Sequence, residues 1–203
     1  KRYLNDGMFV YPRPVEQNFQ RTQADDIILL DPEMYHRTLD MTVSTFNSND
    51  ASYWHKSIGG YHAAKLRRYQ EVIEAHISPE MSRLQKAAMD TGGDLLRVNG
   101  DSIFPVLNML NMRYVLMKTT DGKKVPVYNP YAMGNAWSVS SIRWVDNADD
   151  ELAAIGTENL HRVAVVDRKF QDVLGNVPAG ADSCAVSVKL TGYDANRLTY
   201  QVD

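Results

Sequence analysis

The chain has 203 residues, 44% of them hydrophobic and 23% charged. These are the proportions of an ordinary globular chain, long enough for one large domain or two small ones, and they exclude a disordered tail or a coiled coil. A net charge of -3 excludes a nucleic-acid binder working through bulk positive charge, and the single cysteine excludes an internal disulfide or a zinc site built on Cys pairs.

Residues 1 to 35 are rich in turn formers. Tyr11-Pro12-Arg13-Pro14 cannot be helical and Asp31-Pro32 marks a second break, with Ala24 to Leu30 between them readable as a short helix or a strand. Arg37 to Val43 alternates, with Leu39, Met41 and Val43 on one face, and reads as a strand. A helix is expected from Gly60 to Ile77, with Tyr61, Leu66, Tyr69, Val72, Ile73 and Ile77 on its apolar side and an Arg67–Glu71 ion pair opposite. Ser78 and Pro79 then open a second helix that Gly92-Gly93 closes. Ser102 to Asn111 reads as a third helix, leading into the strand Met112 to Met117, a turn at Asp121-Gly122 and the strand Val125 to Tyr128.

Beyond Pro130 the pattern is strand-rich. Ala136 to Val145 reads as one long strand, Asn147 to Ile155 as a helix with acids in its first turn, and Val163 to Asp167 as a compact strand. Lys189 to Tyr193 and Arg197 to Val202 form a hairpin around Asp194-Ala195-Asn196. Cys184 falls in an apolar stretch and reads as a small buried hydrophobe rather than a nucleophile. The fold class expected is mixed α/β (α+β): a central sheet flanked by two to three helices, with the beginning of a β-sandwich at the C-terminus. Residues 1–180 form the mixed domain and 181–203 the start of a truncated sandwich. Lys1 in place of Met, the lack of a signal-peptide pattern and a hairpin with an unpaired edge make the chain read as an excised piece of a longer protein.

Several chemistries are missing from the pattern. There is no P-loop, no Gly-x-Gly-x-x-Gly, no Gly-x-Ser-x-Gly and no His-Glu-x-x-His, and the five histidines lack metal-ligand spacing. No catalytic residue, metal or cofactor is assigned.

One stretch stands apart. From Ser52 to Gln70 no acid occurs, while Lys56, Lys65, Arg67 and Arg68 all fall there among aromatic residues. Ser57 with Gly59-Gly60 is expected to open the helix with uncovered backbone N–H groups, a terminus suited to a phosphate or carboxylate. The helical wheel sets His62 and Lys65 inside the apolar arc, where a lysine must snorkel, pair or meet a ligand. The candidate ligand-binding residues are His55, Lys56, Ser57, Gly59, Gly60, Tyr61, His62, Lys65 and Arg68. The alternative is that the same groups satisfy internal carbonyls and that the glycines only permit a tight turn.

The run Tyr53 to Gln70 resembles the signature of YfhO-family membrane proteins of the Bacteroides group, and Val106 to Val115, Asn129 to Trp137, Val145 to Asp149 and Ala164 to Asp167 are similar in the same order. The resemblance implies an extracytoplasmic domain of a polytopic protein of the inner membrane, facing the periplasm. The parent would be a GT-C-like glycosyltransferase that draws on a polyprenyl-phosphate-linked sugar, with its transfer chemistry outside this chain. The partners implied are the transmembrane part of the same polypeptide, the lipid-linked sugar and a glycan acceptor, with no nucleic acid. Two rival roles stay open: a structural module that packs on the transmembrane part without a ligand, and an independent glycan-binding or hydrolase domain.

Overall fold

The structure is a computed structural model that describes residues 19–175 and 186–203. The Tyr11-Pro14 break, Cys184 and the division between residues 180 and 181 lie outside the described residues.

The architecture is mixed α and β, built on a three-stranded sheet. Thr22 opens α1 (Gln23–Leu29) through a capping box in which its hydroxyl accepts from the Asp25 amide and the Asp25 carboxylate accepts from the Thr22 amide. That cap settles the helix-or-strand alternative as a helix, which buries Ala24 and Ile28. Strand β1 (Arg37–Asp40) then runs parallel to β2 (Met112–Lys118), with Leu39 opposite Val115. The expected strand to Val43 stops early because Asp40 folds back. Its carboxylate accepts from the Thr42 amide at 2.8 Å and the Thr42 hydroxyl at 2.6 Å, a turn that competes with the ladder. From β2 a turn with Gly122 at φ 81° leads into β3 (Lys124–Tyr128), antiparallel to β2, so the sheet order is β1-β2-β3.

Helices cover this sheet. After the short α2 (Asp50–Trp54), α3 (Arg67–Val72) passes through a π-helical turn at Ile73–Ile77 directly into α4 (Ser78–Asp90). The expected break at Ser78 is absent, since Ser78 has helical φ and ψ and its amide bonds the Ile73 carbonyl five residues back. Pro79 explains the wide turn. It has no N–H for the carbonyl four residues earlier, and a π turn moves that carbonyl out of the way of its ring. The expected start at Gly60 is also displaced, to Arg67. Tyr69, Val72, Ile73 and Ile77 keep the apolar face, whereas Leu66 is 77% exposed ahead of the helix.

The third expected helix splits into α5 (Gly100–Ile103) and α6 (Pro105–Met109). Phe104, driven out of the helical region by the proline that follows it, marks the break. Its ring drops into the core beside Leu39, Ile77, Leu84, Leu107 and Val115. Glu80 on α4 is 1% exposed and caps α6, accepting from the Val106 and Leu107 amides at 3.1 and 2.9 Å. Burial pushes its carboxyl above the ordinary range, although those two amides pull it the other way.

A parallel βαβ unit follows, made of β4 (Ser141–Val145), α7 (Ala148–Ile155) and β5 (Val163–Asp167). Asn147 caps α7, accepting from the Asp150 amide at 2.9 Å, and Asp149, Asp150 and Glu151 fill its first turn. The expected strand from Ala136 begins only at Ser141, and the Trp137 indole N–H turns aside to the Leu160 carbonyl at 2.9 Å. After β5 the chain makes a 3-10 turn at Arg168–Phe170 and the short α8 (Gln171–Leu174). The C-terminal hairpin forms as read, β6 (Val188–Asp194) against β7 (Arg197–Val202). Among the described residues no helix is long and apolar enough to cross a membrane.

Candidate functional site

The segment from His55 to Arg68 clasps several elements together. Thr38 in β1 and Ser57 form a parallel bridge, the Thr38 amide donating to the Lys56 carbonyl at 2.8 Å and the Ile58 amide to the Thr38 carbonyl at 3.1 Å. Gly59 lies against the loop after β1, where a side chain would place its Cβ against the Thr45 carbonyl oxygen, so no other residue fits without a shift. Gly60 takes φ 126°, a conformation that favours glycine.

This clasp overturns the expected anion cradle. No helix opens at Ser57, and both glycine amides are taken by the protein: Gly59 donates to Ser57 Oγ at 3.0 Å and Gly60 to the Thr45 carbonyl at 2.8 Å. Tyr61 is exposed, its amide held by Asn49 Oδ1 at 2.8 Å. His62 and Lys65 precede α3 rather than riding its apolar face. His62 Nδ1 accepts from the Ala64 amide at 3.1 Å, and Lys65 sits 5.2 Å over the Phe46 ring. Lys56 turns elsewhere, between the Tyr35 ring at 5.2 Å and the Tyr193 ring at 4.7 Å. Arg68 pairs with Glu151 of α7 at 2.5 Å. His55, buried, reaches Asp25 Oδ1 with Nε2 at 2.8 Å.

His55 and Asp25 belong to a buried polar layer that the sequence pattern did not reveal. Burial raises the Asp25 carboxyl, but hydrogen bonds from Thr22 and His55 outweigh it and hold the group below its ordinary value. Asp31 meets Arg113 at 2.6 Å, the Tyr114 hydroxyl at 2.7 Å and the Glu33 amide at 2.9 Å. Against the opposing effect of burial, these bonds bring its carboxyl down to about 2. Burial and the same carboxylate push Tyr114 up to about 12. Asp40 pairs with Lys124 at 2.9 Å. The His55, Arg113, Tyr114 and Lys124 side chains lie 30 to 84 residues from the carboxylates they meet, so no local spacing signals these pairs.

The Tyr35 and Tyr193 rings that hold Lys56 line a different feature, a cleft of about 650 Å³ between the body and the hairpin. Its body side carries Tyr35, Arg37 and Asn111, and its hairpin side Tyr193, Arg197 and Tyr200. Asn111 has φ 57°, the left-handed position that follows α6, and its amide side chain donates to the Tyr35 carbonyl at 2.9 Å. The Arg37 amide in turn donates to the Asn111 carbonyl at 2.9 Å, which fixes Tyr35 and Arg37 on the cleft wall. Across the cleft Tyr193 lies 5.2 Å from Tyr35, and the Tyr200 hydroxyl donates to Asn135 Oδ1. Arg37 has its guanidinium 5.9 Å from the Tyr35 ring and no carboxylate partner, and Arg197 likewise has none among the described residues. Aromatic walls, side-chain amides and two guanidinium groups without a carboxylate partner among the described residues, Arg37 donating to the Tyr35 hydroxyl at 3.4 Å, suit a polar ligand with flat faces and an anionic group. No catalytic constellation accompanies them, and no cluster of metal-ligating side chains occurs among the described residues.

None of the sequence candidates lines this cleft; Lys56 touches two rings that do, Tyr35 and Tyr193. Tyr35 and Arg37, Asn111, and Tyr200 come from three separate segments that only the fold joins. Asn111, just past a helix, is the one member with a local signal. Comparison with protein families, with curated proteins and with solved structures finds no match for this chain.

Proposed function

We propose that this chain is a non-catalytic recognition domain, working on the extracytoplasmic side of the inner membrane as part of a polytopic YfhO-like protein. Its cleft would take a glycan that carries an acidic group, as a polyprenyl-phosphate-linked sugar or a cell-envelope acceptor does, and orient it for transfer by the membrane part. The observation that carries this reading is the grouping of Arg37 and Arg197, which have no carboxylate partner among the described residues, with the Tyr35, Tyr193 and Tyr200 rings around one cleft of about 650 Å³. Tyrosine faces offer apolar area to the C–H face of a sugar ring, and guanidinium groups match phosphate and carboxylate in a bidentate fork. Placement in the membrane protein rests on the resemblance of the Tyr53 to Gln70 run.

The test is calorimetric titration of the chain with hexose 1-phosphate and with neutral maltotriose. Saturable binding of the phosphosugar is expected, weakened at least tenfold in Arg37→Ala and in Tyr193→Ala. Equal failure to bind either probe would remove the reading.

A second role has its own observation. Ile27, Leu29, Leu30 and Met34 are 48%, 45%, 81% and 46% exposed around the end of α1. An apolar surface of this kind marks a packing face, which fits a module seated against the transmembrane part. Leu30→Ser would then weaken association with detergent micelles and leave the cleft's binding unaltered.

A further inference from the structure

A second recess, of about 420 Å³, lies between the start of α5 and the loop that joins α7 to β5. That volume is within the roughly 300–1,000 Å³ of small-molecule sites. It shares no lining residue with the large cleft, and the neighbours Met133 and Gly134 line one each. Its polar side chains are open to solvent and held in place. Asp101 and His161, 47% and 45% exposed, face each other across it, with Asp101 Oδ1 3.0 Å from His161 Nε2. The same oxygen accepts from the buried Asn108 amide at 3.3 Å, and Asn108 Oδ1 accepts from Asn129 at 2.9 Å.

These bonds use one oxygen of Asp101 and leave Oδ2 without a partner among the described residues. A carboxylate only accepts, so the His161 nitrogen that meets it carries the proton, and Nδ1 suits a hydroxyl in either protonation state of the ring. Asn159 uses Oδ1 for the His161 amide at 3.1 Å, which leaves its Nδ2 as a donor on the same wall. The charges then select the ligand. No lysine or arginine lines the recess, and an anion would meet Asp101 and Glu158. Both acids already face a basic group, His161 and Arg143, so a cation would find no unmatched charge. Acceptors and donors stand side by side instead, which suits hydroxyls, since each both gives and accepts a hydrogen bond. Pro105, Met133 and Leu160 add apolar wall for the C–H bonds of a sugar ring.

We propose that this recess binds one neutral hexose unit of a glycan, whose hydroxyls donate to Asp101 Oδ2, accept from Asn159 Nδ2 and hydrogen-bond His161 Nδ1. The site goes beyond the reading of the large cleft and does not rest on it.

The experiment is titration of the full chain with the methyl glycosides of glucose, galactose and mannose, followed by proton–nitrogen correlation of the backbone amides. The expected result is a saturable shift, with at least one of the three, at amides of both walls, residues 100–102 and 157–161. Asp101→Asn exchanges an acceptor for a donor and Asn159→Asp does the reverse, each with almost no change of shape. Either should weaken binding at least tenfold, and unmoved amides in β2 show that the fold is kept. Hexose 1-phosphate, the probe of the large cleft, should leave the wall amides still, so the two sites can fail separately. Unsaturable drift with all three glycosides, movement confined to residues 194–197 of the large cleft, tighter binding of the phosphosugar at residues 157–161, or unaltered affinity in both variants would overturn the proposal.

Discussion

The body around the three-stranded sheet and the C-terminal hairpin solve the same problem in different ways. In the body, β1, β2 and the helices α4 and α6 close over a continuous apolar core, with Leu39, Leu84, Phe104 and Leu107 fully buried. Three of its carboxylates, Asp25, Asp31 and Asp40, are each paired with a basic side chain at the edge of that core. The hairpin buries only Leu190 among its hydrophobic residues and leaves Leu198 and Val202 in solvent. It attaches through polar and aromatic contacts, Tyr193 with Lys56 and Tyr200 with Asn135. The cleft between them therefore has one rigid wall and one wall held by a few contacts. A paired ladder without a core is marginal in water.

Truncating a core residue gives the largest contrast. Phe104→Ala removes a ring at 0% exposure and should cost about 3–5 kcal/mol of stability, whereas Leu198→Ala on the hairpin should change it by less than about 0.5 kcal/mol. Urea unfolding of both variants measures this. Similar losses would mean that the hairpin shares the core's cooperativity, and the comparison would fail.

Two buried carboxylates within the body should respond to pH in opposite directions. Asp31 is ionised more readily in the folded state than in the unfolded one, since its carboxyl is held at about 2 against an ordinary 3.8. Its stabilisation is complete above that ordinary value and is lost as pH falls toward about 2. Asp31→Asn should therefore cost about 2–3 kcal/mol at neutral pH, with the deficit fading in acid. Glu80 is shifted the other way, so the folded state holds its proton more tightly and its contribution declines as pH rises above about 4.3. The deficit of Glu80→Gln, about 1 kcal/mol at most, should shrink from pH 4 to pH 7. Urea midpoints at pH 3, 4, 5.5 and 7 test both slopes. Parallel slopes would mean that burial does not govern Glu80.

The sequence carried what depends on near neighbours. Asn147 and the acids after it predict α7, Asp121-Gly122 predicts the β2–β3 turn, and alternation predicts the hairpin. It misled where a local pattern met a distant partner. Gly59 and Gly60 have the look of a helix start, but what they answer is the Thr45 carbonyl in another loop. Lys65 falls on an apolar helical arc, yet it precedes the helix and rests on Phe46. The Pro79 position reads as a boundary, and a π turn carries the helix through it. The cleft was the least legible feature, because Tyr35, Asn111 and Tyr200 are brought together only by the parallel entry of β1 and the docking of the hairpin.

The smallest change is the one aimed at that docking. Tyr200→Phe deletes a single hydroxyl, the donor to Asn135 Oδ1, and leaves the ring and the β6–β7 ladder in place. One such bond contributes about 0.5–1.5 kcal/mol net, so amide exchange in β6 and β7 should quicken by roughly two- to tenfold. The amides of Val115 and Leu116 in β2, which exchange only when the core opens, should keep their rates. A matching loss in β2 would make hairpin and body one cooperative unit and the cleft a fixed groove. Confined to the hairpin, the loss would mean that a ligand bridging Arg37 to Arg197 must order the wall it binds. Its affinity would then rise with any substitution that tightens the Tyr200 anchor.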